Sequence, residues 1–80
     1  MNLQPTSRGF LRADFRDLYG KACSIQESSL ADEPALWLGV NDGSHHHLTG
    51  DCLARMHISQ ELAGELIPML QRFVETGGLT

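Results

Sequence analysis

Three adjacent histidines, His45-His46-His47, with Asp42 and Asp51 close by, are the residues of this chain that most invite a chemical reading. Imidazole nitrogens and carboxylate oxygens are ligands for zinc, nickel or copper. Adjacent histidines are poorly spaced for one ion unless a loop wraps it. A solvated polar loop with incidental metal affinity is therefore the expectation, and no metal or other cofactor is expected. Asn41-Asp42-Gly43-Ser44 has the look of a calcium loop, but position twelve falls on Cys52 or Leu53 where an EF-hand needs glutamate.

Cys23 and His57 are a nucleophile and a base by type. The alternating pattern around Cys23 points its thiol to a core, where nothing activates it. No nucleophile elbow, phosphate-binding glycine loop or dinucleotide fingerprint occurs. No catalytic residue is assigned, and the chain is expected not to be an enzyme.

Two sets of residues suit binding instead. Glu61, Glu65 and Glu75, with Asp42 and Asp51 (and Asp32 and Glu33 in support), form a candidate acidic surface for a basic partner. Such a surface gains from electrostatic steering and weakens as salt rises. The alternative set is Arg12, Arg16, Arg55 and Trp37, suited to a phosphate and a stacked base. Ordinary solvation of a helix face explains the acids as well. Cross-strand pairing with Asp14, Asp17 or Glu27 explains the arginines as well, and core packing explains Trp37, Tyr19 and Phe15.

With 80 residues the chain has room for one domain and no deep cleft, and its 41% hydrophobic content is that of a globular protein. No apolar run approaches the ~20 residues of a membrane span, and the first residues lack the pattern of a secretory signal. A cytoplasmic protein with no membrane partner is the expectation, its two cysteines, Cys23 and Cys52, remaining free thiols. The net charge of −4 is uneven: residues 1–22 carry four basic and two acidic side chains, the rest two basic and eight acidic. That balance argues against direct nucleic-acid binding.

The elements that position these residues follow from the spacing of apolar side chains. Residues 1–9 read as a flexible arm, and residues 10–80 as one α+β domain. Leu11 to Leu18 alternates, with Ala13 and Phe15 opposed by Arg12, Asp14 and Arg16, and Ala22 to Ser28 alternates after a turn at Gly20. This predicts a β-hairpin. Ala35 to Val40 is a continuous apolar run that suits a central strand covered on both faces, or one whose outer face is shielded by a long side chain. Cys52 to Ile58 alternates and predicts a fourth strand.

Ser59 is placed to cap a helix from about Gln60 to Glu75, with Gly77-Gly78 as its stop and Leu79 folding back. Leu62, Leu66, Ile67, Leu70, Phe73 and Val74 are its predicted apolar stripe, and Pro68 predicts a kink relieved by Gly64. The sum is β-β-β-β-α: a small antiparallel sheet of three to four strands with the amphipathic helix on one face.

The residues Asp17, Tyr19-Gly20, Cys23-Ser24, Gln26, Ser28-Ser29, Ala31, Trp37-Leu38-Gly39, Arg55-Met56-His57, Leu66, Pro68, Leu70, Phe73 and Thr76-Gly77 carry a resemblance over Phe15 to Leu79. On them the chain resembles a group of small proteins encoded by tailed bacteriophages and prophages. The resemblance carries over no catalytic role. Small acidic phage proteins of this kind often bind host machinery, anti-CRISPR proteins among them. The resemblance thus implies an inhibitor of host defence, its partner a host protein or nucleoprotein complex such as a CRISPR-Cas effector whose nucleic-acid-binding surface it occludes. A small-ligand module that binds a nucleotide is the alternative.

Overall fold

A computed structural model of the chain describes residues 1–30, 32–41 and 55–80. Four strands, β1 (Gln4–Pro5), β2 (Leu11–Arg16), β3 (Ala22–Glu27) and β4 (Leu36–Val40), precede one helix, α1 (Gln60–Thr76). The strands form an antiparallel sheet in the order β1-β2-β3-β4. The fold is thus the expected α+β arrangement.

The period-two pattern does in three dimensions what it implies in one. In the β2–β3 register Ala13 faces Ile25 and Phe15 faces Cys23, while Arg12 faces Gln26 and Asp14 faces Ser24. Ala13, Cys23 and Ile25 are fully buried. Ala13 and Ile25 join Leu62, Leu66 and Leu79 in one core beneath the helix. Gly20 supplies the positive φ of the hairpin turn, at 83°.

The fourth strand comes from the opposite end of the chain to that expected. Arg55 to Ile58 is not a strand, and Cys52 to Ala54 lies outside the described residues. Gln4–Pro5 pairs with Arg12 and Leu11 instead. A turn brings it there: Thr6 N–H donates to Phe10 O at 2.7 Å, Gly9 N–H to Thr6 O at 2.9 Å, and Phe10 N–H to Thr6 Oγ1 at 3.2 Å. Met1 and Leu3 then pack against the core. Alternation shows which residues can form a strand but not which strand finds a partner, and a local turn decided that here.

α1 begins and ends as its sequence dictates. Ser59 Oγ accepts the Leu62 N–H at 3.1 Å, and Gly77, at φ 78°, donates its N–H to Phe73 O at 2.8 Å. The helix runs through Pro68 without a break. The apolar stripe is narrower than expected and rotated. Leu62 and Leu66 are buried and Met69 packs against the core, whereas Ile67, Leu70 and Val74 are exposed. A sheet this short covers only one line of helix side chains.

Two carboxylates fasten the helix to the sheet. Asp17, only 7% exposed, accepts the Tyr19 and Lys21 N–H groups on Oδ1 at 2.9 Å each and the His57 N–H on Oδ2 at 3.0 Å. Leu18 N–H adds a bond to His57 O at 2.9 Å. The hairpin turn is thereby tied to the segment that enters α1. At the other end of the sheet Glu27 accepts the Leu11 N–H at 2.8 Å on one oxygen and the Leu79 N–H at 2.9 Å on the other. This ties the helix exit to β2 and β3.

The His57 N–H, ahead of the Lys21 and Tyr19 N–H groups, favours the charged form of Asp17 and holds its carboxyl below the ordinary value. A depressed pKa stabilises the fold above the ordinary Asp range, and that contribution disappears as pH falls through the lowered value. Asp17→Asn is therefore expected to lower Tm by roughly 10 °C at neutral pH. It should also flatten the acid limb of Tm against pH, read by circular dichroism between pH 7 and 2. Gly77→Ala is expected to cost about 1–2 kcal/mol in chemical denaturation, since Ala pays for a left-handed φ and its Cβ meets Pro34 Cγ at 3.3 Å.

Candidate binding surfaces

The described residues present two surfaces of distinct chemistry, the outer side of α1 and the outer face of the sheet. Glu61, Glu65 and Glu75 are all exposed on α1. At about 100° per residue they fall within one narrow strip. Glu61 and Glu75 stand about 21 Å apart along the axis. Arg72 falls on the same strip by the same spacing. Glu65 Oε1 accepts from the Met1 amino group at 3.2 Å, and Glu75 Oε2 accepts from Gln71 Nε2 at 3.1 Å. Asp42 and Asp51 lie outside the described residues, as do His45, His46 and His47. Among the described residues no group of acids, histidines and cysteines is placed to hold a metal.

Across the buried line from the acids, at helical spacing, runs an exposed apolar row. Ile67 is 65% and Val74 77% exposed, with Leu70 between them. The helix thus buries one apolar line, with a second, exposed apolar line on one flank of it and the acidic strip on the other. Sequence periodicity alone merges the two lines, because positions three and four apart satisfy either.

The sheet's outer face gathers Arg12, Arg16 and Trp37. Arg12 Nη2 donates to Asp14 Oδ1 at 2.9 Å and Arg12 Nη1 to Gln26 Oε1 at 3.4 Å, while Arg16 Nη1 donates to Gly20 O at 2.9 Å. The Arg12 guanidinium bound to Asp14 holds that carboxyl below its usual value. Arg55 is not part of this face; it precedes α1, and its carbonyl accepts from Lys21 Nζ at 3.0 Å. The arginines are therefore only partly together, and each of the two on the sheet already has an acceptor. Asp17 and Glu27, also candidates for pairing with arginine, go to backbone N–H groups instead.

Trp37 is exposed at 68%, as is Tyr19 at 70%. Among the described residues β4 is thus an edge strand with an open outer face rather than a covered central one. Phe15 packs against the core on the opposite face of the sheet, and the Tyr19 ring meets His57 edge-on at 4.6 Å. The three aromatics do not form one platform. A shallow recess of about 300 Å³ beside Trp37 is lined by Arg12, Ser24, Gly39 and Asn41.

Cys23 is no nucleophile. Its thiol is buried, its Sγ donates to Lys21 O at 3.4 Å, and burial pushes its pKa up. Among the described residues no helix is long and apolar enough to cross a membrane.

Comparison with known proteins finds no matching family model, curated protein or solved structure. The surface chemistry of the described residues therefore carries the functional reading.

In a Cys52→Ser background, the Cys23 thiol is expected to stay unreactive toward a disulfide reagent in native buffer and to react fully in denaturant. Rapid native labelling would overturn its assignment to the core.

Proposed function

We propose that this chain is a non-enzymatic binding protein that acts by covering a basic surface of its partner with the outer side of α1. One observation carries the reading: Glu61, Glu65 and Glu75 share one exposed strip of α1, and Ile67, Leu70 and Val74 form an exposed apolar row on the other flank of the buried line. A groove that wraps a helix can meet both rows at once, a basic wall against the acids and an apolar wall against the other flank. The acids supply steering and register, and the apolar row supplies buried area. The two backbone-gripping carboxylates at the ends of α1 keep the strip in place, which lowers the ordering cost of binding.

The resemblance to small tailed-phage proteins gives this reading its biological form: an inhibitor of host defence. A nucleic-acid-binding surface is basic by necessity, so the nucleic-acid groove of a CRISPR-Cas effector fits the chemistry, and the role is then that of an anti-CRISPR protein. The nucleotide-binding alternative has less support. Arg12 and Arg16 already donate to Asp14 and Gly20, and Arg55 stands apart from Trp37.

The test is a pull-down from bacterial host lysate followed by affinity measurement on the captured complex. Glu61→Lys with Glu65→Lys is expected to weaken binding at least tenfold, about 1.4 kcal/mol. Raised salt should weaken the wild type in the same direction. The variant should stay folded, because the Glu65 ion pair with the amino terminus is exposed and contributes little. Ile67→Ser with Val74→Ser removes apolar area without changing charge and should reduce affinity with little change in salt dependence. A captured partner whose affinity ignores both pairs of substitutions would remove this reading.

A further inference from the structure

The sheet has two edges of opposite character. β1 is only two residues long and ends in proline, two features that keep an edge from recruiting another strand. β4, Leu36-Trp37-Leu38-Gly39-Val40, is five residues long with no charge and no proline. Among the described residues no strand pairs with its outer side.

The register fixes which backbone groups lie on that outer side. Asn41 N–H donates to Ala22 O and Ser28 N–H to Ala35 O, each at 2.9 Å. Hydrogen-bonded pairs alternate in an antiparallel ladder, so Trp37 and Gly39 turn their N–H and C=O groups toward β3. Leu36, Leu38 and Val40 turn theirs toward the edge.

We infer that β4 pairs antiparallel with β4 of a second copy of this chain, about a twofold axis through Leu38, joining two sheets into one of eight strands. The register is set by the strand itself. With Leu38 opposite its own copy, Leu36 falls opposite Val40 of the second copy, and all three outward-turned residues form hydrogen-bonded pairs. Trp37 then falls opposite Gly39 of the second copy in a non-hydrogen-bonded pair, where side chains approach most closely. An added Cβ at Gly39 meets nothing within 4 Å, so the glycine leaves open space on the face that Trp37 occupies. The exposed indole covers that space, an aromatic ring over an edge glycine, and the twofold makes the contact twice.

Charge does not oppose a like partner at this edge. The chain carries −4 overall, which opposes self-association across most of its surface. The pairs from Ala35 opposite Asn41 through Leu38 opposite itself place no charge against a like charge. A five-residue edge falls in the weak class of interfaces, below about 1,200 Å² in total, so the expected dimer is micromolar or weaker. This pairing uses neither face of α1 and stands apart from the proposed partner surface.

Sedimentation of the full chain from about 1 μM to about 1 mM tests it, read alongside hydrogen exchange and quenching of Trp37 fluorescence. The expected result is a monomer–dimer equilibrium in which the Leu36, Leu38 and Val40 amides become protected, and Trp37 less quenchable, as concentration rises. Gly39→Lys places a charged side chain where space is open in the monomer. It is expected to keep the wild-type melting curve and weaken the dimer at least tenfold, and Trp37→Lys should do the same. A wild type that stays monomeric to 1 mM overturns the inference and leaves the edge to an unlike strand. So does a dimer indifferent to both substitutions, or protection of the three amides already in the monomer.

Discussion

Asp17 and Glu27 sit at opposite ends of the β2–β3 hairpin, and each uses both carboxylate oxygens to grip backbone N–H groups, at least one of them distant in sequence. Asp17 reaches forward to His57, just before the helix cap, and Glu27 to Leu79, just after the helix stop. The sheet thus holds the helix by its entrance and its exit rather than by one broad interface. A small core makes this necessary. Ala13, Ile25, Leu62, Leu66 and Leu79 are few residues to fix the position of a 17-residue helix. Charged acceptors bonded to N–H groups in partly buried positions add strength and direction that such a core lacks.

That mode of attachment decides what the molecule shows to its surroundings. A helix pinned at its ends and packed along one line leaves most of its circumference outside. The acidic strip and the row of Ile67, Leu70 and Val74 are therefore surfaces, although the apolar content of α1 suggests a helix more deeply sunk. The sheet follows the same economy. With its inner face given to the core, its outer face is a thin layer of polar side chains interrupted by Trp37, and its two edges are left to their own sequences.

The chemistry-bearing side chains of the described residues are largely engaged within the fold. The buried thiol turns to a backbone carbonyl, the arginines of the sheet are engaged by Asp14 and Gly20, and the two most buried carboxylates serve the backbone. The groups turned outward are acids on a fixed helix and apolar side chains on the other flank of that helix or on β4.

Local sequence determined the elements of this protein, since each depends on neighbours within a few residues. The alternation about Ala13 and Ile25, the turn at Gly20, the Ser59 cap and the Gly77 stop are all legible, and all stand where the spacing puts them. Asp17 was legible in part: an aspartate opening Asp-Leu-Tyr-Gly is a turn signal, because its side chain can accept the N–H two residues on. Its bond to His57, forty residues away, is not a local property. Nor is Glu27's bond to Leu79, the choice of Gln4–Pro5 over Arg55 to Ile58 as the fourth strand, or the line of α1 that faces the core. Tertiary structure decided these, because hydrophobic spacing says which side chains can be buried together, while the area of the sheet and the reach of two carboxylates set which of them are.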